Sequence, residues 1–263
     1  MRIEKGRFWN RYNKVQQAES TATVNNSLGK LYVILVGDSP DNAKSFIELN
    51  QLYDVLIRSR VDVSTISILK GNSNASDSAS RLNLERELSQ LRKLVSYEDK
   101  FLFYIATHGT FLDDGSPGIL LPNKETITPL EFTIMASDMP YNYGIFYFGN
   151  CLGGEFAEAI GYHNNIGISP VQGASKLVED SFETAKKKAK RIGAINYIHP
   201  DKGDHFANDL FYFLFDKKLS IERAFDRSVE INATILPMPY ACPGRITPQL
   251  RWQNADPAQL YLN

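Results

Sequence analysis

A histidine and a cysteine each close an apolar run in this chain. The first run extends from Phe101 to His108, and the second extends from Gly144 to Cys151. A thiolate is a strong nucleophile, and an imidazole that titrates near neutral pH can activate a thiol or protonate a leaving amine. Together these two side chains supply the minimal apparatus of a cysteine hydrolase, provided that the fold brings them close.

Both runs have the composition of strands that are buried on both faces of a parallel sheet. They are continuous, apolar, of strand length, and rich in aromatic and β-branched residues. In open α/β sheets the chemistry collects at the carboxyl ends of the strands. We therefore expect His108 and Cys151 to lie at the tips of neighbouring strands.

The chain from residue 30 onward alternates apolar runs with amphipathic segments. This order predicts a doubly wound α/β fold, with a mostly parallel sheet flanked by helices on both faces. Residues 1–29 are polar and predict an N-terminal arm, and residues 30–263 are expected to form one domain. Further strands are predicted at 30–37, 63–69 and 166–169, and helices at 45–58, 79–95, 175–191, 206–215 and 220–234. The tail around 247–250 is predicted to be irregular or a single edge strand.

The composition limits the classes of partner. The chain has 263 residues, of which 43% are hydrophobic, so it can bury a sizeable core as one domain. Its 29 basic and 30 acidic residues give a formal net charge of −1. Because no overall field attracts polyanions, neither a nucleic acid nor an anionic membrane surface is expected as a partner.

The two cysteines, Cys151 and Cys242, are too few for a disulfide framework, and neither has zinc-type spacing to other ligands. Cys242 lies among prolines and is expected to be inert. No secretory signal opens the sequence, and no apolar stretch approaches the ~20 residues that span a bilayer. We expect no metal and no cofactor, and either a cytoplasmic location or export without a cleaved signal.

Glycines follow both reactive residues. Gly109 would let a substrate backbone approach the histidine, and Gly153 with Gly154 would let the chain turn sharply into a helix after Cys151. Backbone N–H groups in such turns can stabilise a negatively charged tetrahedral intermediate. We expect an oxyanion hole formed by the backbone N–H groups of Gly109 and Cys151.

These motifs together resemble the caspase-like clan of cysteine peptidases, which includes caspases, metacaspases, legumains and separase. The similarity lies in a first strand ending at Gly37, the run from Asp99 to Gly109 that ends in His-Gly, and the run that ends in Cys151 before glycines. The stretch from Asn150 to Phe156 is most similar to bacterial relatives of the legumain family. The resemblance covers most of residues 30–250 and implies a caspase-like fold.

The resemblance implies roles for particular residues. His108 would be the catalytic base or acid and Cys151 the nucleophile, cutting polypeptide through an acyl-enzyme. Ser169 and Pro170, at the end of the strand after the cysteine, would border the pocket for the residue before the cut. Lys44 would favour Asp or Asn there, although this family carries a basic pair where the chain offers only Lys44.

Two other functions share these residues. An acyl-enzyme that reacts with an amine would make the protein a legumain-type transamidase or ligase. A catalytically silent caspase-like module used for binding is the second alternative, with the bulky Leu152 or the N-terminal arm blocking the cleft. The oligomeric state and the natural substrate stay open.

Taken alone, a buried cysteine usually packs as a small hydrophobic residue, and a histidine at a strand end is usually a polar group with its hydrogen bonds made. Their order and their glycine neighbours favour catalysis. Asp113 and Asp114 are expected to form an ordinary loop, because two carboxylates are too few for a calcium cage. Asp99 is expected to cap a strand entry, and Asn150 to pack or hydrogen-bond beneath the site.

Overall fold

The computed structural model describes most of the chain from residue 29 onward. Several predictions lie outside the described residues, among them the polar arm before Gly29, the helix at 175–191, and the inert Cys242. The described ranges are 29–38, 43–71, 77–162, 164–170, 205–235, 249–253 and 257–262.

The strands form two sheets. The main sheet has the spatial order β2-β1-β3-β7-β8-β9, and a separate antiparallel ribbon has the order β4-β5-β6. All neighbours in the main sheet are parallel except β9, which is antiparallel at the edge. The expectations of a mostly parallel α/β sheet and of an edge strand near 247–250 are confirmed. The bounds are β1 Leu31–Gly37, β2 Ile66–Lys70, β3 Lys100–Ala106, β4 His108–Phe111, β5 Pro117–Leu120, β6 Thr126–Ile127, β7 Tyr143–Phe148, β8 Asn165–Ser169 and β9 Gln249–Arg251.

Helices cover both faces of the main sheet, as predicted. One core contains Leu102 and Tyr104 of β3 together with side chains of the first and the last two helices, and the other contains Phe101 and Phe103 with the remaining helices. No helix within the described ranges is long and apolar enough to cross a membrane. The helices are α1 Ala43–Arg58, α2 Arg81–Leu94, α3 Pro129–Ala136, α4 Gly153–Ile160, α5 His205–Phe211, which continues into a π-helical turn at Tyr212–Asp216, and α6 Ile221–Ile235.

Aromatic pairs fix the register of the two central strands. Tyr104 of β3 lies opposite Tyr147 of β7, and their rings stack with centroids 5.2 Å apart. On the other face Phe103 and Phe146 are also register partners, 6.0 Å apart. Cross-strand aromatic pairs stabilise one register over its neighbours, because a slip by one residue would send every ring to the opposite face. The positions of the residues that follow β3 and β7 depend on this register.

Two predicted segments differ in detail. The predicted strand at 63–69 begins only at Ile66, because the Asp62 side chain caps a 3₁₀ turn over Val63–Thr65 by accepting from the Ser64 N–H. The Asp62 side chain thus favours a turn in a segment whose composition favours a strand.

The sequence predicts that helix α2 has an apolar stripe formed by Leu82, Leu88, Leu91 and Val95, and this prediction is wrong for Leu82. Leu82 is 72% exposed, and Asn83 and Leu84 are buried in its place. The Ser80 side chain caps the helix, and Asn83 Nδ2 donates to the carbonyl and hydroxyl oxygens of Ser78. This polar anchor sets which face of the first turn points inward.

Asp99 caps the entry of β3, as predicted. Its carboxylate accepts the backbone N–H groups of Lys30 and Ser96, each at 2.7 Å, and the Ser96 hydroxyl at 2.8 Å. Burial opposes ionisation, but the hydrogen bonds from Ser96 and Lys30 outweigh it and hold the pKa of Asp99 below its ordinary value. Asp99 therefore links the amino ends of β1 and β3, at the end of the sheet opposite His108.

We expect Asp99→Asn to destabilise the protein by about 2 kcal/mol at pH 7, the scale for losing hydrogen bonds to a charged group. Since the pKa of Asp99 is lower in the folded than in the unfolded chain, its stabilisation is present above pH ~4 and is lost as the pH falls through the folded pKa. The free energy of unfolding in denaturant, measured from pH 7 to pH 2.5, should show the gap between wild type and variant closing in acid. Exposed Glu98→Gln is the matched control; a gap that does not change with pH would contradict the expectation.

Candidate active site

The sequence predicts that His108 lies at the end of the strand formed by the run from Phe101, and the structure corrects this prediction. Strand β3 ends at Ala106, Thr107 forms a bend, and His108 is the first residue of β4 in the antiparallel ribbon. The chain leaves the main sheet here without a glycine or proline to mark the bend, so the apolar run reads as one strand in the sequence. As a result the His108 side chain stands clear of the core and is 66% exposed.

Cys151 follows the tip of β7, the neighbour of β3. The Gly149 N–H donates to the Ile105 carbonyl at 2.8 Å, so the ladder continues one residue past the end of the strand. Strands β3 and β7 are paired up to Ile105 and Phe148, so the segments that carry His108 and Cys151 leave the main sheet at the same end. The Cys151 side chain is partly exposed. The sheet thus directs both reactive residues to the same edge, as the sequence predicted.

Gly109 lies directly against Cys151. A methyl group on Gly109 would overlap the carbonyl oxygen of Cys151, and would lie 2.6 Å from its carbonyl carbon and 3.0 Å from its Cβ. Only a residue without a side chain permits this approach. The contact joins the start of the ribbon to the cysteine turn, so the His-Gly and Cys motifs meet in space through their backbones.

The cysteine sits in a tight turn between β7 and helix α4. The Gly153 N–H donates to the Asn150 carbonyl at 3.0 Å, and Leu152 has φ 67° and ψ 10° while φ of Cys151 is negative. These features define a type II β-turn with Cys151 and Leu152 at its centre. Leu152 is 3% exposed, so its side chain points into the interior and does not cover the site.

Asn150 lies beneath this turn, as predicted. It is fully buried, and its Nδ2 donates to the Cys151 carbonyl oxygen at 2.7 Å. Asn150 is the first residue of the turn, and its side chain therefore hydrogen-bonds to the central peptide, which joins Cys151 to Leu152.

Asp38 is a further residue beside His108, and the sequence patterns predicted no role for it. It directly follows β1, whose last residue Gly37 is the register partner of Ala106. The Asp38 side chain is 13% exposed, and its Oδ2 lies 3.7 Å from Nε2 of His108. Functional side chains gather at the carboxyl ends of parallel strands. Asp38, the residue after β1, could therefore have been found by the same signal that selects His108 and Cys151.

The ribbon directs the Gly109 N–H away from β5. The Leu112 N–H donates to the Ser116 carbonyl, which makes these two residues a hydrogen-bonded pair of the hairpin. Hydrogen-bonded and non-hydrogen-bonded pairs alternate along an antiparallel ladder, so Gly109 and its partner Ile119 form a non-hydrogen-bonded pair. The Gly109 N–H is thereby available on the outer side of β4, as an oxyanion donor must be.

The residues expected to bind substrate lie at the same edge. Ser169 ends β8 and is fully buried, with its Oγ 2.6 Å from the position that a Cβ on Gly153 would occupy. Pro170 is buried beside it. Lys44 is in the first turn of α1, and its side chain lies outside the described residues. A pocket built from Lys44, Ser169 and Pro170 stays a prediction.

The acidic loop has the ordinary structure that was expected. Asp114 Oδ1 accepts from the Ser116 hydroxyl and N–H, and these bonds lower the pKa of Asp114. Within the described part of the chain, no group of three His, Cys, Asp or Glu side chains is placed to hold a metal ion.

No protein-family model matches the sequence, and none of the curated proteins gives a significant match. The class of site therefore follows from the geometry. The tips of three adjacent parallel strands supply a carboxylate, an imidazole and a thiol: Asp38 after β1, His108 after β3, and Cys151 after β7. Where an imidazole reaches a thiol, it can activate the thiol as a nucleophile and return its proton to a leaving group.

We expect Gly109→Ala to destabilise the protein by about 2 kcal/mol, the scale for forcing a methyl group into a closely packed site. The added Cβ would overlap the Cys151 carbonyl, so either the ribbon or the cysteine turn must move. Unfolding in denaturant measures the change. Thr110→Ala, one residue further along the ribbon, should alter stability by less than ~0.5 kcal/mol. Equal stability of Gly109→Ala and wild type would contradict the contact.

Proposed function

We propose that the protein is a cysteine endopeptidase of the caspase-like type, with His108 and Cys151 as its catalytic pair. The observation that carries the proposal is the backbone contact between Gly109 and Cys151, which fixes the histidine-bearing ribbon against the cysteine turn. The α/β sheet with helices on both faces, and the order of the two motifs along the chain, support the caspase-like assignment.

The proposed reaction has two steps. The Cys151 sulfur attacks the peptide carbonyl, and His108 takes the thiol proton and gives it to the leaving amine, so that a thioester forms as the C–N bond breaks. Water then attacks the thioester with His108 as base, which releases the acid and regenerates the thiol. The backbone N–H groups of Gly109 and Cys151 stabilise the oxyanion in both steps.

Exposure favours this function over a silent binding module. His108 is largely exposed and Cys151 is partly exposed, while Leu152, the residue expected to block the cleft, is buried. Among the described residues neither reactive residue is fully buried, which supports access of a substrate to the pair. Cleavage after Asp or Asn, with Lys44 as the recognising cation, is the corresponding proposal for specificity.

The decisive experiment is a peptide library varied at the residue before the cut, incubated with wild type, Cys151→Ala and His108→Ala. We expect cleavage by wild type, with Asp or Asn preferred, and a loss of at least ~1,000-fold in both variants because each removes one half of the pair. Liquid chromatography with mass spectrometry identifies the products.

Cys242→Ala is the matched control, since it removes the other thiol and should cleave like wild type. Absence of Cys151-dependent cleavage with every residue before the cut would overturn the peptidase proposal in favour of the binding module. Adding a glycine peptide as a competing amine separates hydrolysis from ligation, because a ligase would yield the joined peptide in preference to the acid.

Asp38 is expected to orient the His108 imidazole. Its carboxylate is nearly buried and 3.7 Å from Nε2, so it can hold the ring and stabilise the imidazolium that forms when the thiol proton is taken. Asp38→Asn should lower kcat roughly tenfold, equivalent to about 1.4 kcal/mol of transition-state stabilisation, with little change in KM. Steady-state kinetics on the best library peptide measures both constants. Exposed Asp54→Asn is the control, and an unchanged kcat in Asp38→Asn would refute the role.

A further inference from the structure

We propose that Asn150 is a positioning residue that holds the Cys151–Leu152 peptide in the one orientation that places Cys151 against Gly109. The proposal rests on the proposed function of Cys151 as the nucleophile. In this proposal Asn150 neither attacks the substrate nor transfers a proton. It acts only by holding the turn that carries Cys151.

The cysteine turn has a conformation that its own sequence disfavours. A type II turn requires positive φ at its third residue, where glycine or asparagine normally stands because a Cβ there approaches the preceding carbonyl oxygen. Leu152 occupies that position with φ 67°. A type I turn, reached by rotating the central peptide by about half a turn, would suit leucine better. Something outside the local backbone must therefore hold the observed orientation.

Asn150 supplies the polar contact on this peptide. Its Nδ2 donates to the Cys151 carbonyl oxygen at 2.7 Å, and that oxygen is the atom that a methyl group on Gly109 would overlap. Rotation of the peptide would break the hydrogen bond and swing the carbonyl away from the ribbon. The Asn150 side chain thus couples the conformation of the turn to its contact with the histidine-bearing strand.

The burial of Asn150 is costly, which points to a role other than stability. The residue is fully buried, and its Oδ1 has no hydrogen-bond partner among the described residues. Burying an amide with an unpaired acceptor destabilises the fold, whereas an apolar side chain of similar size would not. Polar groups kept at such a cost are typical of functional sites.

The experiment is a double-mutant cycle between Asn150 and Leu152. In the wild-type background we expect Asn150→Ala to lower kcat by at least ~30-fold with KM changed by less than ~3-fold, because a rotated peptide misplaces the reacting groups without removing any of them. In the Leu152→Gly background the third turn residue accepts positive φ without strain, so the same Asn150→Ala change should lower kcat less than ~3-fold. Exposed Asn142→Ala is the control for removal of an asparagine.

Amide hydrogen exchange gives a readout that does not need activity. The Gly153 N–H closes the turn by donating to the Asn150 carbonyl, so its exchange should accelerate in Asn150→Ala and return toward the wild-type rate when Leu152→Gly is added. If wild type shows no Cys151-dependent cleavage, the peptidase proposal fails while the exchange data still test the hold on the turn. Equal kcat losses in the two backgrounds, or unchanged Gly153 exchange, would overturn the positioning role.

Discussion

The approach of Gly109 to the Cys151 carbonyl is the constraint on which the site depends. Two chain segments that leave the main sheet in different directions, one into the ribbon and one into α4, touch here at backbone distance. A side chain at residue 109 would separate them, because its Cβ would occupy the space of the carbonyl group. With glycine there, a backbone contact holds the segments that carry His108 and Cys151 together at the carboxyl end of the sheet.

Packing inside the main sheet determines which residues lie at its carboxyl end. The stacked pair Tyr104 and Tyr147 locks β3 against β7 in one register, and in that register both strands end on the same side of the sheet. Strand β1 pairs with β3 from the other side and delivers Asp38 to the same place. Asp99 ties β1 and β3 together at the far edge, so packing and capping distant from the site decide which side chains meet there.

The site itself departs from the regularity that surrounds it. Strands β3 and β7 are fully buried and, apart from Lys100, apolar or aromatic, whereas beyond the tip of β7 Leu152 adopts a positive φ and Asn150 keeps an unpaired buried oxygen. Both features cost stability, and both act on the peptide that joins Cys151 to Leu152. Such local conflict within a consistent fold is expected where geometry serves chemistry.

The sequence by itself determined the α/β class and the buried central strands, and it indicated that His108 and Cys151 follow two of those strands, because apolar runs and glycine positions are local signals. It also indicated the cap at Asp99 and the support from Asn150. Only the tertiary structure decided that β3 ends at Ala106, that Asp38 faces His108, and that Leu82 is exposed while Leu152 is buried. These depend on contacts between segments far apart in the chain, namely the ribbon pairing of β4, the β1–β3 register and the turn after β7, and no local pattern records them.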